Sequence, residues 1–211
     1  SSHAGSCMAC SDKTMPYAEL ATTTNFSFLR GASHPEEMVA QAMALGLAGI
    51  GIADRNSLAG VVRAHVFARE HDAPGKWLRV VTGARLVFDD DTPDILAYPR
   101  DRAAYGRLCR LLTRGNLRAR KGSCQLFFED LEEFQEGLQF IVMDDDSGQS
   151  ACLGRLMAFA PARIWLAVSL TCDMHMRERL ARRIGLSHAC GLPLIALNDV
   201  YMHAPERRPL A

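Results

Sequence analysis

Seven short runs rich in apolar residues, several of them nearly continuously apolar, punctuate the chain: Tyr17–Ala21, Gly49–Ala53, Val80–Phe88, Ile95–Tyr98, Leu138–Met143, Ile164–Val168 and Leu194–Leu197. Runs of this length read as strands. Their scarce apolar–polar alternation predicts strands covered on both faces, as parallel strands are. Segments with helical patterning lie between most of them. The first opens with Ser33-His34-Pro35-Glu36, which predicts a capping box with proline in the first turn and a helix to about Leu45, where Gly46 stops it. Others span Leu58–Glu70, Ala103–Arg114, Gln149–Phe159 and Met174–Ala189, the last ended by Gly191 and Pro193. About seven β–α units in 211 residues predict one α/β domain built as a closed or nearly closed barrel, with a doubly wound open sheet as the alternative. No G-x-G-x-x-G follows the first run, so a dinucleotide-binding crevice has no support.

Composition excludes several functional classes. Hydrophobic residues make up 48% and charged residues 23%, which is globular rather than disordered. Lys+Arg and Asp+Glu both number 24, so the chain lacks the basic excess of a free-standing, sequence-indifferent nucleic-acid binder. No apolar run approaches the ~18 residues of a spanning helix and no signal-peptide pattern opens the chain, so no membrane partner is expected. Seven scattered cysteines predict reduced thiols in a cytoplasmic protein rather than a disulfide scaffold. Cys109, Cys124, Cys152, Cys172 and Cys190 show no metal spacing, and Cys7-x-x-Cys10 has no second pair to complete a tetrahedron. Residues 1–14 are small, polar and aperiodic and read as an unstructured leader; residues 15–211 read as the domain, with Met15 the expected natural start.

Charge is segregated within the neutral total. Arg100 to Lys121 holds eight basic residues and one acid, whereas Glu129 to Asp146 holds eight acids and no base. One reading is two solvated faces that soften each other. The other is that Arg107, Arg110, Arg114, Arg118, Arg120 and Lys121 face a phosphate backbone or an acidic partner. No aromatic interleaves with them as a stacking platform would require, so any nucleic-acid contact would position and not read bases.

In α/β barrels chemistry sits at the carboxyl ends of the strands. Those ends carry Ala21-Thr22-Thr23-Thr24, Ala53-Asp54-Arg55, Gly83-Ala84-Arg85 and Asn198-Asp199-Val200-Tyr201, with His203 just beyond. Together with YAEL…NFSFLRGASHPEE, DRNSLAGVVRAH, DRAAYGRLCRLLTRGNLRARKG and GLPLIALNDVYMHAPERRPL, they make Met15–Ala211 resemble the N-terminal domain of error-prone bacterial C-family DNA polymerases. That domain belongs to the polymerase and histidinol phosphatase (PHP) superfamily. The resemblance implies a distorted seven-unit (βα) barrel that stops before the polymerase thumb and palm. It also implies a place in damage-tolerant replication, with the remainder of the polymerase, DNA and accessory polymerase proteins as partners.

Active members of the superfamily hold two or three metal ions through His-x-His, Asp-His, Glu and Asp-x-His ligands. Carried onto this sequence, the positions fall on Ala21 and Thr23, Asp54 and Arg55, Arg85, and Asp199 and Tyr201. Two carboxylates remain and the imidazoles are gone. Arginine stays charged at any working pH, so Arg55 or Arg85 is expected to occupy the former cation position and pair with Asp54 or Asp199. The expectation is an eroded site with no catalytic residue and no cofactor, and a structural or scaffolding role. The alternative is a metal-dependent phosphoesterase or 3′–5′ exonuclease holding one weak divalent ion (manganese, zinc or magnesium) through Asp54, Asp199, His65 or His203. A third reading recruits an accessory protein through Glu129–Asp146.

Overall fold

A computed structural model describes residues 16–71, 78–144, 149–169 and 174–210. The leader, Met15, the Cys7–Cys10 pair and Cys172 lie outside the described residues. The strands are β1 (Ala18–Thr22), β2 (Gly49–Arg55), β3 (Arg79–Leu86), β4 (Ile95–Pro99), β5 (Leu138–Val142), β6 (Ile164–Ser169) and β7 (Leu194–Leu197), joined in that order into one sheet. The helices are α1 (Pro35–Ala44), α2 (Ala59–Glu70), α3 (Arg102–Arg118), α4 (Phe128–Phe134), α5 (Gln149–Phe159) and α6 (Met176–Cys190), followed by a 3₁₀ turn at Pro205–Leu210.

The two edges of the sheet nearly meet. Thr22 bridges Val200 in parallel. The Thr23 amide donates to the Val200 carbonyl at 2.8 Å, and the Val200 amide to the Ala21 carbonyl at 2.7 Å. The buried Glu19 carboxyl group fastens this seam: it accepts from the Ala21 amide (2.8 Å), the Asn198 amide (2.9 Å) and the Tyr17 hydroxyl (2.8 Å). Burial and Glu19 together push the Tyr17 phenol up, which keeps it a donor. The architecture is therefore the distorted, nearly closed seven-stranded barrel, and the open doubly wound alternative falls away.

One expectation fails at β4, which is antiparallel to both β3 and β5. Parallel neighbours need a crossover of a dozen or more residues. Only Val87–Asp94, rich in aspartate and carrying Pro93, connects β3 to β4, so the chain must turn straight back. The reversal carries Asp94 to the face where the other strands end and Tyr98 to the opposite mouth. Tyr98 fills the barrel from that end and donates to the Leu20 carbonyl. A Cβ on Gly83 would lie 2.3 Å from its ring, so glycine there is what admits the ring. Beside it, Ala21, Ala53, Leu96, Ile141, Ala167 and Leu197 pack the interior.

The outer layer follows from helix faces. Leu108, Leu111 and Leu112 of α3 are buried against β4 and β5 residues such as Ile95 and Phe140. Each such burial contributes roughly 1.5–3 kcal/mol. Asp101 caps α3 by accepting from the Ala104 amide at 2.8 Å, and the helix continues past the expected Arg114 to Arg118. The cap of α1 sits one residue later than expected, at His34. Glu37 closes the box by accepting from the His34 amide (2.8 Å), because the third helical position is the one whose side chain reaches back.

α4 was not legible in the sequence, being only seven residues long, and it brings acidic side chains to part of the basic segment. Arg118 forms a two-pronged pair with Asp130 at 2.7 and 2.9 Å. Arg114 pairs with Glu133 at 2.8 Å and Arg107 with Glu136 at 2.6 Å. Arg155 of α5 reaches Glu129 (2.9 Å) and Glu132 (3.1 Å). For Arg107, Arg114 and Arg118 the acidic partner is the chain's own segment Asp130–Glu136. Arg110 lies 6.0 Å from the Phe134 ring centroid, and Arg120 and Lys121 are exposed. The Arg118 guanidinium holds the Asp130 carboxyl below the usual aspartate range.

Candidate functional site

The reversal of β4 and the seam between β7 and β1 bring five side chains together at the carboxyl ends of the strands. Arg85, near the end of β3, is 4% exposed. Its guanidinium donates to Asp199 and, at 3.0 Å, to the Tyr201 hydroxyl, and lies 3.7 Å from Asp94. The Tyr201 hydroxyl in turn donates to the other Asp199 oxygen at 2.9 Å. Arg55, at the end of β2, meets Asp94 at 3.3 Å. Asp199 holds a left-handed backbone (φ 52°), a region aspartate tolerates better than most residues. Burial pulls the Arg85 guanidinium down, but Asp199, Tyr201 and Asp94 outweigh it, and its affinity for the proton is raised. Burial raises the Tyr201 phenol too, with Arg85 opposing.

Asp54 stands apart from both arginines. It is fully buried and accepts from the Thr24 amide (2.8 Å), the Thr24 hydroxyl (2.8 Å) and the Ser27 hydroxyl (2.7 Å). The Ser27 hydroxyl also accepts from the Arg55 amide at 2.9 Å, which ties the loop after β1 to the end of β2. The first turn of α2 closes on this carboxylate. A Cβ on Gly60 would lie 2.5 Å from Asp54 Oδ2, so only glycine lets the helix start so near. Burial raises the Asp54 carboxyl despite its three donors. Of the pairings expected for the two arginines, the one present is Arg85 with Asp199; Arg55 turns instead to Asp94, a residue the sequence reading passed over. Its signal was the absence of any helical stretch between Phe88 and Ile95.

The other candidates lie elsewhere. Ala21 is buried among apolar interior residues and Thr23 is fully buried with its hydroxyl unpartnered. His65 is exposed and lines a cavity with Arg69 and Arg79 near the amino ends of β2 and β3, the far end of the barrel from Asp54 and Asp199. His203 is engaged by the Ser33 hydroxyl at 2.8 Å and sits 3.8 Å from Glu37. Burial pushes the Cys124 thiol up to about 11, so it is no nucleophile at neutral pH. Arg183 of α6 also escaped the sequence reading. It is 1% exposed, donates to the Val142 and Ala167 carbonyls at 2.8 and 2.9 Å and faces Asp144 at 3.3 Å.

The donor set at the strand ends does not fit a divalent ion. Among the described residues no three His, Cys, Asp or Glu side chains converge. A divalent ion ~4 Å from the Arg85 guanidinium would meet roughly 8 kcal/mol of repulsion at an effective dielectric near 20. The Asp199 oxygens are both already engaged by Arg85 and Tyr201.

The chain belongs to the PHP domain family, whose model matches residues 19–163. An error-prone DNA polymerase of Rhodopseudomonas palustris is 50% identical over 202 residues, which is 94% of this chain and 18% of that protein. The error-prone DNA polymerase of Bradyrhizobium is 49% identical over 205 residues, 93% of this chain and 17% of that protein. The chain thus spans less than a fifth of the length of these curated relatives. The fold is shared with a Bifidobacterium adolescentis protein assigned to the metal-dependent phosphoesterases (TM-score 0.64, 16% identity, 90% of this chain and 88% of that one). It is also shared with an amidohydrolase from Chromobacterium violaceum (TM-score 0.57, 15% identity, 88% and 87%). Among the described residues no helix is long and apolar enough to cross a membrane.

Proposed function

We propose that this chain is the N-terminal PHP module of an error-prone DNA polymerase and that a guanidinium-centred ion cluster has replaced its metal centre. The module is structural: it stabilises the polymerase of which it is a part, and the nucleotidyl transfer of damage-tolerant replication belongs to the polypeptide beyond it. The observation that carries this reading is Arg85, held among Asp199, Tyr201 and Asp94 at the strand ends. Hydrolysis of a phosphoester by a PHP site needs an ion to acidify a bound water. Here the carboxylates that could attract one are committed to arginine or, for Asp54, to buried hydroxyls and an amide.

The test is metal analysis of the purified protein after dialysis against zinc and manganese, alongside manganese-stimulated release of nucleotides from single-stranded DNA. The expected result is no stoichiometric metal and no release. Two retained equivalents, or release that Asp54→Asn abolishes, would overturn the reading in favour of a metal-dependent phosphoesterase.

A further inference from the structure

The barrel interior is filled unevenly. Interiors of this kind are normally packed by successive layers of side chains. Here Tyr98 leans on the glycines of β2 and β3, where a Cβ on either Gly51 or Gly83 would collide with it. The neighbouring interior residues Ala21, Ala53 and Ala167 are small. What remains toward the amino-terminal end is a cavity of about 330 Å³ to which every strand but β2 contributes. Leu20, Val81, Ile141 and Ile195 supply its aliphatic walls, and Tyr98 and Trp165 its aromatic ones. Leu20, Val81, Trp165 and Ile195 are only half-buried, so the cavity opens to solvent. Gln139 completes the lining, and among the described residues no charged side chain takes part. The Tyr98 hydroxyl is engaged by the Leu20 carbonyl. Among the described residues, neither the Gln139 side-chain amide nor the Trp165 indole N–H has a hydrogen-bond partner.

We propose that this cavity binds a planar, uncharged heteroaromatic molecule of one or two rings. Its volume lies at the lower end of the ~300–1,000 Å³ of small-molecule sites, which suits a body of roughly ten heavy atoms. Covering the half-exposed Leu20, Val81 and Ile195 removes their apolar surface from water, and the Trp165 and Tyr98 rings favour an aromatic partner. An ionised ligand would lose its hydration with no opposite charge to replace it. The Trp165 indole is a donor only, so the ligand carries an acceptor, and the Gln139 amide donates or accepts beside it. Ordered water fits less well, because it needs ~2–4 polar partners and most of this lining is apolar. The site lies at the opposite end of the barrel from Arg85 and Asp199, so it stands whether or not a metal is retained there.

The test photolabels the purified protein with a diazirine-substituted quinoline and maps the adducts by mass spectrometry. Label is expected on the peptides that carry Ile141, Trp165 and Ile195, and excess free quinoline is expected to suppress it several-fold. Naphthalene has the same shape without the ring nitrogen and is expected to compete about fivefold more weakly, the worth of one hydrogen bond. Ile195→Phe fills the mouth from a half-exposed position and is expected to remove the label while circular dichroism stays that of the parent. Labelling no greater than that of the peptide carrying Leu117, which is 82% exposed on α3, overturns the proposal. So does labelling that quinoline does not suppress, equal competition by naphthalene, or label that persists in a folded Ile195→Phe. If Ile195→Phe does not fold, the two competitors on the parent protein decide.

Discussion

Arg85→Ala is the sharpest perturbation of the cluster at the strand ends. Removing one member of a buried ion pair costs ~3–5 kcal/mol, because the other charge stays behind uncompensated. Here the Asp199 and Asp94 side chains are 23% and 27% exposed, so water relieves part of that penalty. The lower end, about 3 kcal/mol, is expected. With a urea slope near ~3 kcal/mol/M for a domain of this size, the unfolding midpoint falls by about 1 M. Asp199→Asn alone leaves Arg85 with Asp94 and Tyr201 and costs about 1–2 kcal/mol. The double variant then recovers ~1–3 kcal/mol relative to the sum of the singles, since the abandoned carboxylate has gone. Urea titrations of the four proteins followed by circular dichroism provide the cycle. A loss below ~1 kcal/mol for Arg85→Ala, with the singles additive within ~0.5 kcal/mol, would refute the claim that guanidinium holds this site together.

Two carboxylates give opposite pH signatures. Asp130 is depressed in the folded state, so its contribution is present above the ordinary aspartate value and is lost as pH falls through the folded one; Asp130→Asn should lose stability at pH 7 and converge with the parent below about pH 4. Asp54 is raised, so its ionisation weakens the fold as pH climbs from about 4 through the folded value; Asp54→Asn should match or exceed the parent at pH 7, with the advantage vanishing in acid. Identical pH profiles for both variants in urea melts would contradict the assignment. Gly83→Ala drives a methyl into the Tyr98 ring and should cost about 1–3 kcal/mol in thermal unfolding, part of it recovered when Tyr98 is shortened to Leu; no change in Tm would mean the ring does not occupy the barrel as described.

Much of the barrel was legible because strand and helix periodicities are local. The seven apolar runs land on the seven strands, and the helix start near Pro35 and the stop at Gly191 are where short-range chemistry places them. The misses share a cause. α4 is too short to announce a period, and the direction of β4 depends on whether the eight residues before it can make a crossover. The positions at the strand ends were likewise readable as residue types, since Asp54, Arg55, Arg85 and Asp199 stand next to their strands. Which arginine meets which carboxylate was not readable, because Asp199 lies 114 residues beyond Arg85 and Asp94 reaches it only through the reversal of β4.

By itself the sequence determined the alternation of elements, the neutral total charge and the residue types standing at the strand ends, because each is a matter of composition or of neighbours a few residues apart. Only the tertiary structure decided that Arg114 and Arg118 pair with α4, that Asp54 is satisfied by hydroxyls and an amide, and that Arg85 is surrounded by acids. Those outcomes depend on which surfaces are brought within a few ångströms once the sheet curls and its edges meet. Charge interactions weaken with distance and with water, and the chain alone specifies neither for residues far apart in sequence.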